Sequence, residues 1–131
     1  MIDFDTNLLV RALVVDNAEQ VAVARRLMAE HTVFLSRTVL VETEWVLRSR
    51  YNKSRSELLA FFRALLETEN TVVETAEAVG QAVDWYAQGA DFADALHLAA
   101  CGSTVMHTFD LDFCKAAREA GIAPVVQVWE V

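Results

Sequence analysis

Short β-branched or apolar runs recur along the chain, each followed by a segment of helical spacing, and this alternation limits the fold more than any other feature. IDF (2–4), TVFLS (32–36), TVVE (71–74), TVMHTF (104–109) and VVQVWEV (125–131, after Pro124) read as strands. TNLLVRALV (6–14) sets Leu9 with Leu13 and Val10 with Val14 one turn apart, as a helix requires. A second helix is expected from Asp16, three residues before Glu19 in a capping-box-like start, with Val21, Ala24, Leu27 and Met28 on its buried face. RTVLVETEWVLRSRY (37–51) and SRSELLAFFRALLE (54–67) continue the pattern, the latter opening on Ser54 and Glu57 in S-x-x-E spacing. TAEAVGQAVDWYAQG (75–89), DFADALHLAACG (91–102) and DLDFCKAAREAG (110–121) each end in a glycine that tolerates the left-handed terminal position. Strand–helix alternation of this kind implies right-handed crossovers, hence an α/β fold with helices on both faces of a central, mostly parallel sheet of four to five strands.

At 131 residues the chain is expected to form one domain, 1–131, with a core that needs no disulfide or metal staples. A hydrophobic content of 54% and a mean hydropathy of +0.25 exclude a disordered chain. No apolar run approaches the roughly 20 residues of a membrane span. The start has no basic segment, long apolar stretch or small-residue cleavage site, so a cytoplasmic location is expected. Cys101 and Cys114 lack metal-ligand spacing and read as small apolar residues without chemistry.

A net charge of −8 argues against a nucleic-acid partner until its distribution is considered. Residues 1–63 hold nine of the 11 Lys and Arg against eight acids, whereas residues 64–131 hold two against 11. RSRYNKSR (48–55) concentrates Arg48, Arg50, Lys53 and Arg55 beside Tyr51 and Asn52. Such a run also forms where a helix C-terminus attracts cations, so charge alone does not make it an RNA surface.

Open parallel sheets place ligands outside the carboxyl ends of their strands. Asp5 closes the first predicted strand and Asp110 the fourth, while Glu42 and Asp94 interrupt the apolar helical segments VLVETEWVL and DFADALHLAA. Each has a purely structural account. Asp110 can cap a helix, and Asp94 can be the third residue after an Asp91 cap, a position worth about 1 kcal/mol. Glu42 needs a cation or several donors if it is buried, or it turns to solvent beside Glu44. Jointly, four acids brought together by the fold would repel unless a divalent cation lay between them, and an oxygen-only donor set suits Mg²⁺ or Mn²⁺.

These segments carry a resemblance. IDFDTNLLV, the S-x-x-x-x-x-E spacing in LSRTVLVETEWVL, the DFADALHLAA helix, and Thr108, Asp110 and Phe113 of TFDLDF together resemble a PIN-domain ribonuclease, most closely the VapC-type toxins of toxin–antitoxin pairs. The resemblance spans essentially the whole chain and implies a three-layer α/β/α fold and a Mg²⁺- or Mn²⁺-dependent endoribonuclease. In it, Asp5, Glu42, Asp94 and Asp110 would form the catalytic metal site, with Asp112 the alternative to Asp110. Thr6, Asn7 and Thr108 would orient the carboxylates by hydrogen bonds, and Arg11, Arg48, Arg50, Lys53 and Arg55 would hold the flanking RNA backbone. The resemblance also implies products with a 5′-phosphate and a 3′-hydroxyl, a homodimer, and a small antitoxin partner seated on helices of the first half. Asp91 is expected to be a helix cap and Asp3 a strand-entry residue. His97 is expected as a buried, hydrogen-bonded side chain, and Trp45, Phe61 and Phe62 as core.

Three other readings compete. Asp3-Phe4-Asp5-Thr6 is similar to the D-x-D start of haloacid-dehalogenase-like phosphatases, but Asn7 stands where those sites need Thr or Val. The supporting lysine is missing too, since Lys53 and Lys115 are the only lysines and neither closes a strand. A phosphate-accepting receiver domain needs the same lysine. A non-catalytic scaffold of the same fold would have no use for four retained acids.

Overall fold

The computed structural model describes residues 1–101, 105–119 and 124–130, and its backbone forms two compact units, Met1–Ala76 and Glu77–Val131. The first unit runs β1 (Ile2–Asp3), α1 (Thr6–Val10), α2 (Ala18–Glu30), β2 (Val33–Leu35), α3 (Arg37–Ser49), α4 (Arg55–Glu67) and β3 (Thr71–Val73). Its strands form a parallel sheet in the order β1-β2-β3, with Ile2 paired to Val33, and Val33 and Leu35 paired to Thr71 and Val73. Val33 and Leu35 are fully buried on one face of the central strand, with Phe34 half-buried on the other. Leu9, Leu40, Leu47, Leu58 and Phe62 supply the core of this unit.

Since the three strands are parallel, their carboxyl ends share one edge; Ser36 and Glu74 follow those ends directly, and Asp5 stands two residues beyond β1. All three satisfy helix N-termini, whose first N–H groups have no partner within the helix. Asp5 Oδ1 accepts from Leu8 N at 3.1 Å, Ser36 Oγ from Val39 N at 3.2 Å, and Glu74 Oε1 from Arg37 N at 2.9 Å. The sheet edge that carries a candidate ligand is thus pinned by polar contacts to two helix starts.

The second unit contains α5 (Ala76–Ala87), α6 (Phe92–Ala99), β4 (Val105–Thr108), α7 (Lys115–Glu119) and β5 (Val125–Val128). β4 and β5 pair in parallel from Val105 with Val125 to Thr108 with Val128. Trp85, Tyr86 and Phe92 are buried, the last two edge to face at 5.5 Å. Gly89 takes the left-handed conformation expected of it, at φ +107°, two residues after α5 ends.

Several expectations need correction. The one sheet of four to five strands is found as three parallel strands and a separate parallel pair, though the α/β class and the parallel sense hold. The helix over 6–14 stops at Val10: Ala12 and Leu13 bond the carbonyls three residues back, and the chain tightens into turns. The second helix is capped by Asn17, which accepts from Gln20 N at 3.0 Å, because Asp16 instead pairs with Arg11. The helix over 110–121 begins only at Lys115, since Asp110 and Asp112 hold the intervening residues in a turn. Gly102 and Gly121 lie outside the described residues. The Ser54–Glu57 capping box is present in both directions, at 3.1 and 3.3 Å.

Candidate active site

In the second unit Asp91 is the N-cap of α6, accepting from Asp94 N at 3.0 Å, so the cap sets Asp94 on the first turn. Asp110 lies just beyond the carboxyl end of β4. Its N–H donates to Thr108 Oγ1 at 3.0 Å, and its Oδ1 accepts from Asp112 N at 2.9 Å. Thr108 Oγ1 thus accepts from the backbone that carries the acid. Asp91, Asp94, Asp110, Asp112 and Glu119 line one open depression of about 600 Å³, together with Lys115.

Partial burial, and then repulsion from Asp91 and Asp110, hold the Asp94 carboxyl above its ordinary range, while His97 works in the opposite direction. The same surroundings act on Cys114, whose thiol is pushed up to about 12, mainly by burial and then by Asp94 and Asp91. That thiol stays protonated and inert. Accumulated carboxylate charge presenting hard oxygen donors is the setting Mg²⁺ or Mn²⁺ suits, and Asp94 and Asp110 are of the donor type that could hold such an ion. Among the described residues, no three His, Cys, Asp or Glu side chains are gathered into a metal-holding group. His97 is exposed near the end of α6 rather than buried.

In the first unit Asp5 borders a depression of about 520 Å³ with Asn7, Leu8 and Arg11. Glu42 borders a second, of about 450 Å³, with Trp45, Arg50 and Tyr51, and Asn7 lines both. Thr6 is buried at the start of α1. The alternatives left open at Glu42 resolve toward solvent: Glu42 is exposed, and Glu44 takes the buried position. Glu44 is 4% exposed and accepts from Arg48 Nε at 2.8 Å.

The expected RNA-binding cations divide by their contacts. Arg11 pairs with Asp16, Arg48 with Glu44, and Lys53 with Glu57 at 3.5 Å. Arg50 lies over the Trp45 ring at 5.6 Å. Trp45, expected in the core, is 49% exposed and makes this cation–π contact instead. The sequence reading passed over Glu74, whose role at the α3 N-terminus needs the β2–β3 register to be seen.

A model of the PIN domain matches residues 3–119, and the chain belongs to the PIN-domain family. Members of this family are generally nucleases that typically use divalent metals. Comparison with curated proteins and with solved structures gives no match. The phosphatase reading of Asp3–Thr6 gains no support from these findings. Among the described residues no helix is long and apolar enough to cross a membrane.

Proposed function

We propose that this chain, folding as one PIN domain over 1–131, is a divalent-metal-dependent endoribonuclease and the toxin of a type II toxin–antitoxin pair. The observation that carries the nuclease reading is that Asp94, on the first turn of α6, and Asp110, beyond the carboxyl end of β4, line one depression in a chain of the PIN family. Asp5, Glu42, Asp94 and Asp110 hold Mg²⁺ or Mn²⁺, with Asp112 the alternative to Asp110. When bound, such an ion supplies Lewis-acid activation of the scissile phosphate and of the attacking water.

The chain's own groups set the orientation. Thr108 Oγ1 anchors the Asp110 backbone, and the Asp112 N–H donates to Asp110 Oδ1, so the carboxylate that would hold the cation is already oriented. Leu8 N donates to Asp5 Oδ1 in the same manner, and Thr6 and Asn7 would help to orient that carboxylate. Arg11, Arg48, Arg50, Lys53 and Arg55 hold the flanking RNA phosphates. The protein acts in the cytoplasm as a homodimer, its first-half helices also seating a small antitoxin.

Purified protein incubated with RNA and Mn²⁺ tests the enzymatic reading: wild type cuts, while EDTA, Asp5→Asn and Asp94→Asn each abolish cutting. Growth arrest on expression, relieved by co-expressing a small neighbouring gene product, tests the toxin reading. Arrest that no neighbour relieves would contradict it.

A further inference from the structure

Phe109 and Trp129 follow the carboxyl ends of adjacent parallel strands, and the register pairing Thr108 with Val128 sets them side by side. Trp129 N extends the ladder by donating to Thr108 O at 2.9 Å. Both rings face water, Phe109 at 73% and Trp129 at 53% exposure. Trp129 is nonetheless fixed: its Nε1–H donates to His107 Nδ1 at 2.8 Å. The two ring planes are 17° apart with centroids 6.0 Å apart. An indole N–H and an imidazole lone pair both lie in their ring planes, so a bond of this length sets the rings edge to edge rather than face over face. The result is one nearly flat surface two rings wide, with the His107 proton assigned to Nε2. With Thr108, Phe109 and Glu130 it lines a depression of about 440 Å³.

Thr108 links this depression to the acids, since it lines the one and accepts from the backbone of Asp110 in the other. The surroundings limit what can bind. Residues 77–131 contain Lys115 and Arg118 as their only Lys or Arg, and Arg118 is bonded to the carbonyls of Leu111 and Phe113. Coulombic attraction for an RNA backbone is therefore weak here, and affinity must come from a contact indifferent to charge. Stacking of a base on a flat aromatic face is such a contact, and every base has a π face.

We propose that His107, Phe109 and Trp129 form a stacking platform for one nucleobase of single-stranded RNA beside the scissile phosphate. The platform deepens the nuclease reading and rests on it. It predicts tighter binding of purine than of pyrimidine strands, because the larger ring system covers more of the two-ring surface.

The test is equilibrium binding of dye-labelled short single-stranded oligoadenylate and oligouridylate to the full chain in Ca²⁺, followed by the fluorescence anisotropy of the label. Trp129→Ala and Phe109→Ala weaken oligoadenylate binding by roughly 5- to 150-fold, and Trp129→Phe, which keeps a stacking face, recovers most of the loss. In Mn²⁺ with cleavable RNA the same loss appears in KM rather than in kcat. Equal affinity of wild type and both alanine variants overturns the platform, and absence of binding by wild type overturns it as well. Binding that depends on Trp129, in a protein that cuts no RNA in Mn²⁺, upholds the base-stacking surface and overturns its place beside a scissile phosphate together with the nuclease reading.

Discussion

At the scale of single residues, the contrast between Glu42 and Glu44 carries a direct test. They stand two positions apart on α3, so they point to nearly opposite sides of the helix. Glu44 is buried against Arg48, and replacing its charge with Glu44→Gln weakens a charge-assisted pair at a cost of about 1–3 kcal/mol in urea unfolding. Glu42→Gln leaves the unfolding midpoint within about 0.5 kcal/mol of wild type, as expected at an exposed position, and removes RNA cleavage. Apolar neighbours flank both glutamates, so burial could not be assigned from the run VLVETEWVL alone; the legible signal was Arg48, one helical turn beyond Glu44. Thr108→Val, which removes the acceptor for Asp110 N–H, lowers cleavage by roughly 10- to 100-fold, and Thr108→Ser restores it.

Asp94 gives a pH dependence with a definite sign. Its folded-state pKa is raised, so between the ordinary carboxyl range and that raised value the native chain binds more protons than the unfolded one. Stability falls as pH rises through this window, and the penalty persists at neutral pH. Metal-free Asp94→Asn therefore melts at or above wild type at neutral pH, and the difference closes in acid; a lower Tm for the variant at neutral pH would contradict this. Glu57 has the opposite sign: the Ser54 backbone N–H and hydroxyl lower its pKa, adding stability above the unfolded value that is lost as pH falls through the folded one.

At the scale of elements, local rules were legible where the partner is local. The Ser54–Glu57 box, the Asp91 cap and the left-handed Gly89 follow from residues within a few positions of one another. Ser54→Ala removes the Oγ acceptor for Glu57 N while keeping the backbone N–H that Glu57 accepts from, and costs about 1 kcal/mol in urea unfolding, with RNA cleavage unchanged. Where the partner is more distant, the sequence misled. Asp16 looked like a cap until Arg11 was seen to claim it, leaving Asn17 to cap α2. The early end of α1 has no Gly or Pro to mark it, and the turn after β4 depends on two side chains, those of Thr108 and Asp110, bonding backbone N–H groups. The His107–Trp129 pair spans 22 positions and becomes visible only with the β4–β5 register.

At the scale of the whole molecule, the strand–helix alternation and the PIN resemblance were legible because they need only order and spacing, and the match over residues 3–119 supports both. The acids were legible as residue types; their hydrogen-bonded orientation was not. If Asp5, Glu42, Asp94 and Asp110 share a cation, Mn²⁺ raises the Tm of wild type by binding the native state alone, and raises that of Asp94→Asn far less. Equal shifts in the two proteins would count against a shared site. The most direct measurement is cleavage of RNA by the purified chain in Mn²⁺, scored against EDTA and against Asp94→Asn, with the product ends mapped. The account predicts cutting that leaves 5′-phosphate and 3′-hydroxyl ends and disappears in both controls; cutting that survives EDTA or Asp94→Asn would contradict it.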